Sequence, residues 1–107
     1  MITREAPTRT MTIYVAGDAA SAMSICRAVC YDVGLCVTVT DCGYVYTGGA
    51  ESGVAVGLLN YPRFPCTLEE LRAKAMTLAA ALMNGLHQHS VLIRSDDVTT
   101  WITKRDS

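Results

Sequence analysis

Apolar and polar positions alternate along this chain with two different periods, and the changes of period mark its elements. Met11 to Ala16 (MTIYVA) is apolar, β-branched and aromatic, the pattern of a buried strand. Gly17 ends that run, and Asp18 is placed to cap a helix by accepting from the free amides of its first turn. Ala22, Met23, Cys26, Val29, Cys30 and Val33 then recur at helical spacing, which predicts a helix from about Ala19 to Asp32 with Gly34 as its stop. Leu35 to Thr40 changes to period two. Leu35, Val37 and Val39 lie on one face and Thr38 and Thr40 on the other, a half-buried strand.

Beyond Thr40 an unbroken strand would put Asp41 on the face of Val37 and Val39, which is costly for a carboxylate. The segment Asp41-Cys42-Gly43 is therefore expected to hold a bulge or a hairpin turn. Tyr44 to Thr47 is extended again, Gly48 to Gly53 is expected as a loop, and Val54 to Leu59 as the next strand. Thr67-Leu68-Glu69-Glu70 matches a capping box and opens a second helix that runs to about Leu86. Its buried seam is Leu71, Ala75, Leu78, Leu82 and Leu86. Ser90–Ser95 and Val98–Thr103 are β-rich runs separated by Asp96-Asp97, a short hairpin.

The order is thus βαββαβ with an extra C-terminal strand. That order predicts an α+β fold of the ferredoxin-like, split-βαβ kind, an open antiparallel sheet with two helices on one face. Residues 11–104 form the expected domain, with a loose arm at 1–10 and a tail at 105–107. The uncovered face should carry Thr38, Thr40, tyrosines and the small residues Ala55 and Gly57, a surface suited to a flat ligand or another subunit.

Composition narrows the function classes. Half of the 107 residues are hydrophobic and only 18% are charged, which leaves little polar material for a lone surface and favours a homo-oligomer. The net charge is −1 and no Lys/Arg cluster occurs, so long nucleic acids are not expected partners. No run approaches a membrane span and the first residues lack a secretory h-region. Five cysteines, an odd number without CxxC pairs, fit a reduced, cytoplasmic setting better than a disulfide framework.

Candidate chemistry gathers between Gly43 and Pro65. This stretch holds three of five tyrosines, the only phenylalanine and five of eight glycines. The loop TGGAESG lacks the GK[ST] ending of a P-loop, yet its backbone amides could form a nest for an anion, with Gly48, Gly49, Glu51 and Ser52 as contacts. Tyr44 and Tyr46 share one strand face as stacking platforms do. Asn60, Tyr61 and Arg63 leave a strand end together, and Arg63, between Pro62 and Pro65, offers a planar fork to phosphate or carboxylate. Cys26 and Cys30 read as small core residues, Cys66 as structural, and the His87-x-His89 pair as solvated rather than metal-binding. No cofactor is expected.

These features point first to a non-enzymatic protein that binds or sequesters a small anionic or nucleotide-like ligand through Tyr44, Tyr46, Gly48, Gly49, Glu51, Ser52, Asn60, Tyr61 and Arg63. A second reading is a small isomerase- or lyase-type enzyme with its site at subunit interfaces, Glu51 as base and Arg63 as anion stabiliser. A third is a protein-interaction module that uses the open sheet face.

Overall fold

A computed structural model describes residues 1–105; of the expected tail, residues 106 and 107 lie outside the described residues. The elements are β1 (Thr10–Ala16), α1 (Ala19–Val33), β2 (Cys36–Tyr46), β3 (Gly49–Leu59), α2 (Leu68–Gly85), β4 (Ser90–Ser95) and β5 (Thr99–Thr103). The strands form one sheet in the order β2-β3-β1-β4-β5, with every neighbouring pair antiparallel. Both helices lie on one face. This is the α+β, ferredoxin-like arrangement read from the element order, and the C-terminal strand is present.

Side-chain phase explains which face the helices cover. In β1, Met11, Ile13 and Val15 are buried, and they stand opposite Leu58, Val56 and Val54 of β3. Ile93 and Val91 extend that layer into β4, and half-buried Val37 and Val39 extend it into β2. Leu71, Ala75, Leu78 and Leu82 of α2 close the layer from above, together with Ala22 and Cys26 of α1. Burying a leucine or valine side chain in this way stabilises the fold by about 1.5–3 kcal/mol each. Helix α1 turns a narrower stripe inward than its sequence suggests. Met23 is exposed, and Val29, Cys30 and Val33 are only half-buried, because the helix lies near the β2 edge of the sheet.

The helix ends follow their local signals. The Asp18 carboxylate accepts from the Ser21 amide at 2.9 Å, and Gly34 takes the left-handed conformation (φ 67°) that closes α1. In α2 the Thr67 amide donates to Glu70 at 2.9 Å and the Glu70 amide donates to Thr67 Oγ1 at 3.1 Å, the reciprocal capping box. The far end of α2 is tied more firmly than its Gly and His content implies. The Gln88 amide donates to the Met83 carbonyl at 2.8 Å, and Leu86 is buried against Gly17.

The segment between β2 and β3 corrects two expectations. Residues 41–43 are neither a turn nor a bulge, because pairing runs without a break from Cys36↔Leu59 to Tyr46↔Gly49. Asp41 does share the phase of Val37 and Val39. It is exposed all the same, because the hairpin extends past the helices there and the carboxylate meets solvent rather than core. Likewise Gly48–Gly53 is not a loop. Only Thr47 and Gly48 (φ 89°) turn the chain, and Gly49 to Gly53 belong to β3.

Side chains from β2 compensate for the bare glycines. The Tyr46 ring lies over Gly49, where a Cβ would come within 2.9 Å of Cε2, and the Tyr44 ring lies over Gly53. The glycines are there to let rings lie flat. The overhanging hairpin helps stretch the molecule to 51 × 29 × 21 Å.

Candidate functional site on the open sheet face

The face away from the helices carries the alternate residues of all five strands. One row across it, set by the strand register, is Thr40–Ala55–Tyr14–Leu92–Trp101. Toward the hairpin turn, Cys42 stands opposite Gly53, Tyr44 opposite Glu51 and Tyr46 opposite Gly49. Small residues in the middle of β3 and large ones on either side make a trough. The result is an open cleft of about 920 Å3, lined by Tyr14, Tyr44, Tyr46, Glu51, Leu92 and Trp101, with Gln88, His89 and Arg105 also in its lining.

Aromatic contacts hold this surface in shape. Tyr14 and Tyr44 meet edge to face, with ring centroids 6.4 Å apart and planes at 83°. The Arg94 guanidinium lies over the Tyr14 ring, 5.6 Å from its centroid. The Tyr44 hydroxyl donates to the carbonyl oxygen of Val54. Burial and a neighbouring Cys42 thiol push the Tyr44 phenol well above its ordinary pKa, so it stays protonated and remains a donor. Tyr44 is therefore positioned by the fold, with its ring rather than its hydroxyl offered to the cleft. Glu51 is the one carboxylate among the lining residues, and it is exposed to solvent.

The residues singled out from the sequence divide between two places. Tyr44, Tyr46 and Glu51 come together in the open cleft. Gly48 forms the turn. Gly49 lies under Tyr46, and the Ser52 carbonyl accepts from the Gly17 amide at 3.1 Å. The backbone from Gly49 to Ser52 is therefore engaged in the ladder rather than gathered into a nest for an anion. Asn60 joins chain segments, with Nδ2 donating to the Pro7 carbonyl and Oδ1 accepting from the Cys66 amide, both at 2.7 Å.

Tyr61 stacks on Phe64 at 5.2 Å, and with Arg63 these rings border a different groove of about 520 Å3 between α1 and the inner side of β2. Arg27, Met23 and three cysteines complete its lining. Burial pushes the Cys26 thiol up to about 11, with the Cys30 thiol beside it adding to the effect, and burial raises Cys30 as well. Both thiols are uncharged near neutral pH. Within one chain, then, Arg63 does not share a cleft with Glu51.

Tyr14, Leu92 and Trp101 were missed as site residues. The signal for Tyr14 was its phase. In MTIYVA it alternates with Met11, Ile13 and Val15 and so faces away from the core. Trp101, the only tryptophan, has the same relation to half-buried Ile102. Among the described residues no group of three or more His, Cys, Asp or Glu side chains could hold a metal ion, and no helix is long and apolar enough to cross a membrane.

No family model matches this chain, and no curated protein does. Its fold does occur among solved structures. A phage SAM lyase in the apo state superposes with a TM-score of 0.70 at 16% identity, over 100% of this chain and 98% of that one. A phage SAM lyase in complex with S-methyl-5'-thioadenosine superposes with a TM-score of 0.65 at 15% identity, over 96% of this chain and 95% of that one. The expectation of a purely non-enzymatic binder is corrected by these comparisons. End to end, the fold is that of solved structures of an enzyme, one of them with a nucleoside ligand.

Proposed function

We propose that this protein is a small lyase-type enzyme that acts on a sulfonium nucleoside of the S-adenosylmethionine kind in the open-face cleft. The observation that carries the reading is the placement of Glu51 with Tyr44 and Tyr46 in one trough, on a fold matched over its full length by a phage SAM lyase. S-methyl-5'-thioadenosine is S-adenosylmethionine without its amino-acid chain, so a lyase relating the two breaks a carbon–sulfur bond. The bonding pair stays on sulfur, and the sulfonium cation becomes a neutral thioether. The departing carbon fragment then completes its valence internally, by a double bond after loss of a proton to a base or by ring closure.

Two properties of the cleft suit that chemistry. Glu51 supplies a carboxylate that attracts the sulfonium and can accept a proton. The aromatic rings around it present faces that attract a cation, which helps to hold the sulfonium in the cleft. Arg63, in the other groove, does not take the anion-stabilising role beside Glu51 within a single chain. Self-association belongs to this reading, because Val45, 86% exposed at the overhanging hairpin end, leaves apolar surface uncovered.

The test is incubation of purified protein with S-adenosylmethionine and mass-spectrometric detection of S-methyl-5'-thioadenosine. Release is expected from the native chain, with a loss of about 10²-fold or more in Glu51→Gln, the scale of a general base. Absence of turnover in a folded native protein would refute the proposal, and binding without turnover would return the chain to a ligand binder.

A further inference from the structure

Strand β5 contributes little to the core. Of its inward positions, Thr100 is exposed and Ile102 only half-buried, so burial alone gives a weak reason for the strand. On its outer face stands Trp101, 54% exposed, in register with Leu92 and, one strand further, Tyr14. Two strand spacings separate the Tyr14 and Trp101 backbones, about 9–10 Å. A planar ring in van der Waals contact on both sides needs about 7–8 Å. Leu92, which is shorter, forms an apolar floor between the two rings. Arg94 is over the Tyr14 ring, which restricts that ring's freedom before any ligand arrives. The row places two aromatic residues on either side of an apolar floor, with the Arg94 guanidinium against the Tyr14 ring.

We infer that Trp101 is the residue on which the flat heterocycle of the ligand stacks, with Tyr14 as the opposite wall, and that this slot selects nucleosides over simple sulfonium compounds. The inference rests on the proposed lyase function and adds to it a recognition element from the other end of the cleft. Along β3, the Glu51 backbone is four residues from Ala55, the residue in register with Tyr14, about 13 Å of strand, and β3 is two strands from the Leu92 floor, so the two features lie at opposite corners of the cleft. A ligand with a planar head in the slot and a cationic sulfur toward Glu51 spans the cleft diagonally. Stacking on a ring tolerates different bases, so the slot reads flatness and size rather than a hydrogen-bond pattern.

Because Trp101 is the only tryptophan, the native protein reports on its own site. Titration with S-methyl-5'-thioadenosine should change tryptophan fluorescence saturably and protect it from acrylamide quenching. Calorimetry should show Trp101→Ala weakened roughly 5–150-fold in affinity, the scale of one lost base–aromatic stack. Trp101→Phe should recover part of that loss, and both variants should keep the native circular-dichroism spectrum.

Calorimetric binding with unchanged fluorescence would overturn the inference and leave the lyase reading standing, whatever the affinity of Trp101→Ala. A fluorescence response with unaltered affinity in Trp101→Ala would likewise make Trp101 a bystander. Failure of the native protein to bind either S-methyl-5'-thioadenosine or S-adenosylmethionine would overturn both. Should Trp101→Ala fail to fold, the fluorescence and quenching of the native chain decide alone.

Discussion

Gly53 shows how one residue decides the shape of the cleft. A methyl group there would overlap the Tyr44 ring and the Val15 carbonyl oxygen, and would lie 2.8 Å from Ala16 Cα. Backbone cannot move aside as a side chain can, so Gly53→Ala should destabilise the protein by about 1–3 kcal/mol, the range for overpacking. Gly57 is a control on the same strand. A methyl at that position meets only Thr38 Oγ1, at 2.7 Å, and a hydroxyl can rotate away. Gly57→Ala should therefore be the milder change of the two in urea unfolding curves, and equal effects would contradict the packing described. The tyrosines were legible in the sequence as a pair on one strand face. The glycines were misread because local density of glycine signals a loop, whereas their role here depends on rings from a partner strand.

Local signals carried the helices, and the structure keeps nearly all of them. Leu78 has no exposed surface and lies in the seam of α2, so Leu78→Ala should cost about 2–5 kcal/mol by denaturant unfolding. A change below about 0.5 kcal/mol would place it outside the core, where substitutions usually cost little. The caps and the β4–β5 turn also set a pH dependence. The Thr67 amide holds the Glu70 carboxyl below its ordinary value, the Ser21 amide does the same for Asp18, and Arg72, bonded to both Asp97 oxygens at 2.7 Å, lowers Asp97.

All three groups bind a proton more weakly in the folded chain than in the unfolded one. Their contribution is thus complete above the ordinary carboxylate range, about pH 4, and is lost as pH falls through their lower folded values. The thermal midpoint should fall on acidification below about pH 4, and less steeply in Asp97→Asn, which no longer loses the Arg72 ion pair to protonation. Identical slopes in both proteins would show that this ion pair is not part of the acid response. The extent of β2 and β3 was less legible than the helices, because a hairpin that overhangs its helices removes the burial penalty from which a break at Asp41 had been inferred.

At the scale of the whole molecule, residues close in sequence have been sorted to opposite sides of the sheet. Glu51 faces the open trough, while Arg63, twelve positions later, borders the groove between α1 and β2. No periodicity shows such a division, since it depends on which side of β2 the chain passes after Leu59. It yields a contrast between variants: Glu51→Gln should lower turnover by about 10²-fold or more, whereas Arg63→Ala should leave the affinity of an isolated chain for S-methyl-5'-thioadenosine unchanged. Assembly is the remaining expectation. The hairpin end exposes Val45 and Tyr46 beyond the helices, on a chain in which only 18% of residues are charged. Surface of that kind is stabilised by a second copy that covers it. Light scattering at micromolar concentration should return a multiple of 11.5 kDa, and Val45→Lys should lower that mass without lowering the stability of the chain itself, because Val45 has no core contacts to lose. A native mass of 11.5 kDa would refute the assembly. Loss of affinity in Arg63→Ala that appears only in the assembled form, and disappears in Val45→Lys, would mean that a neighbouring copy supplies Arg63 to the cleft.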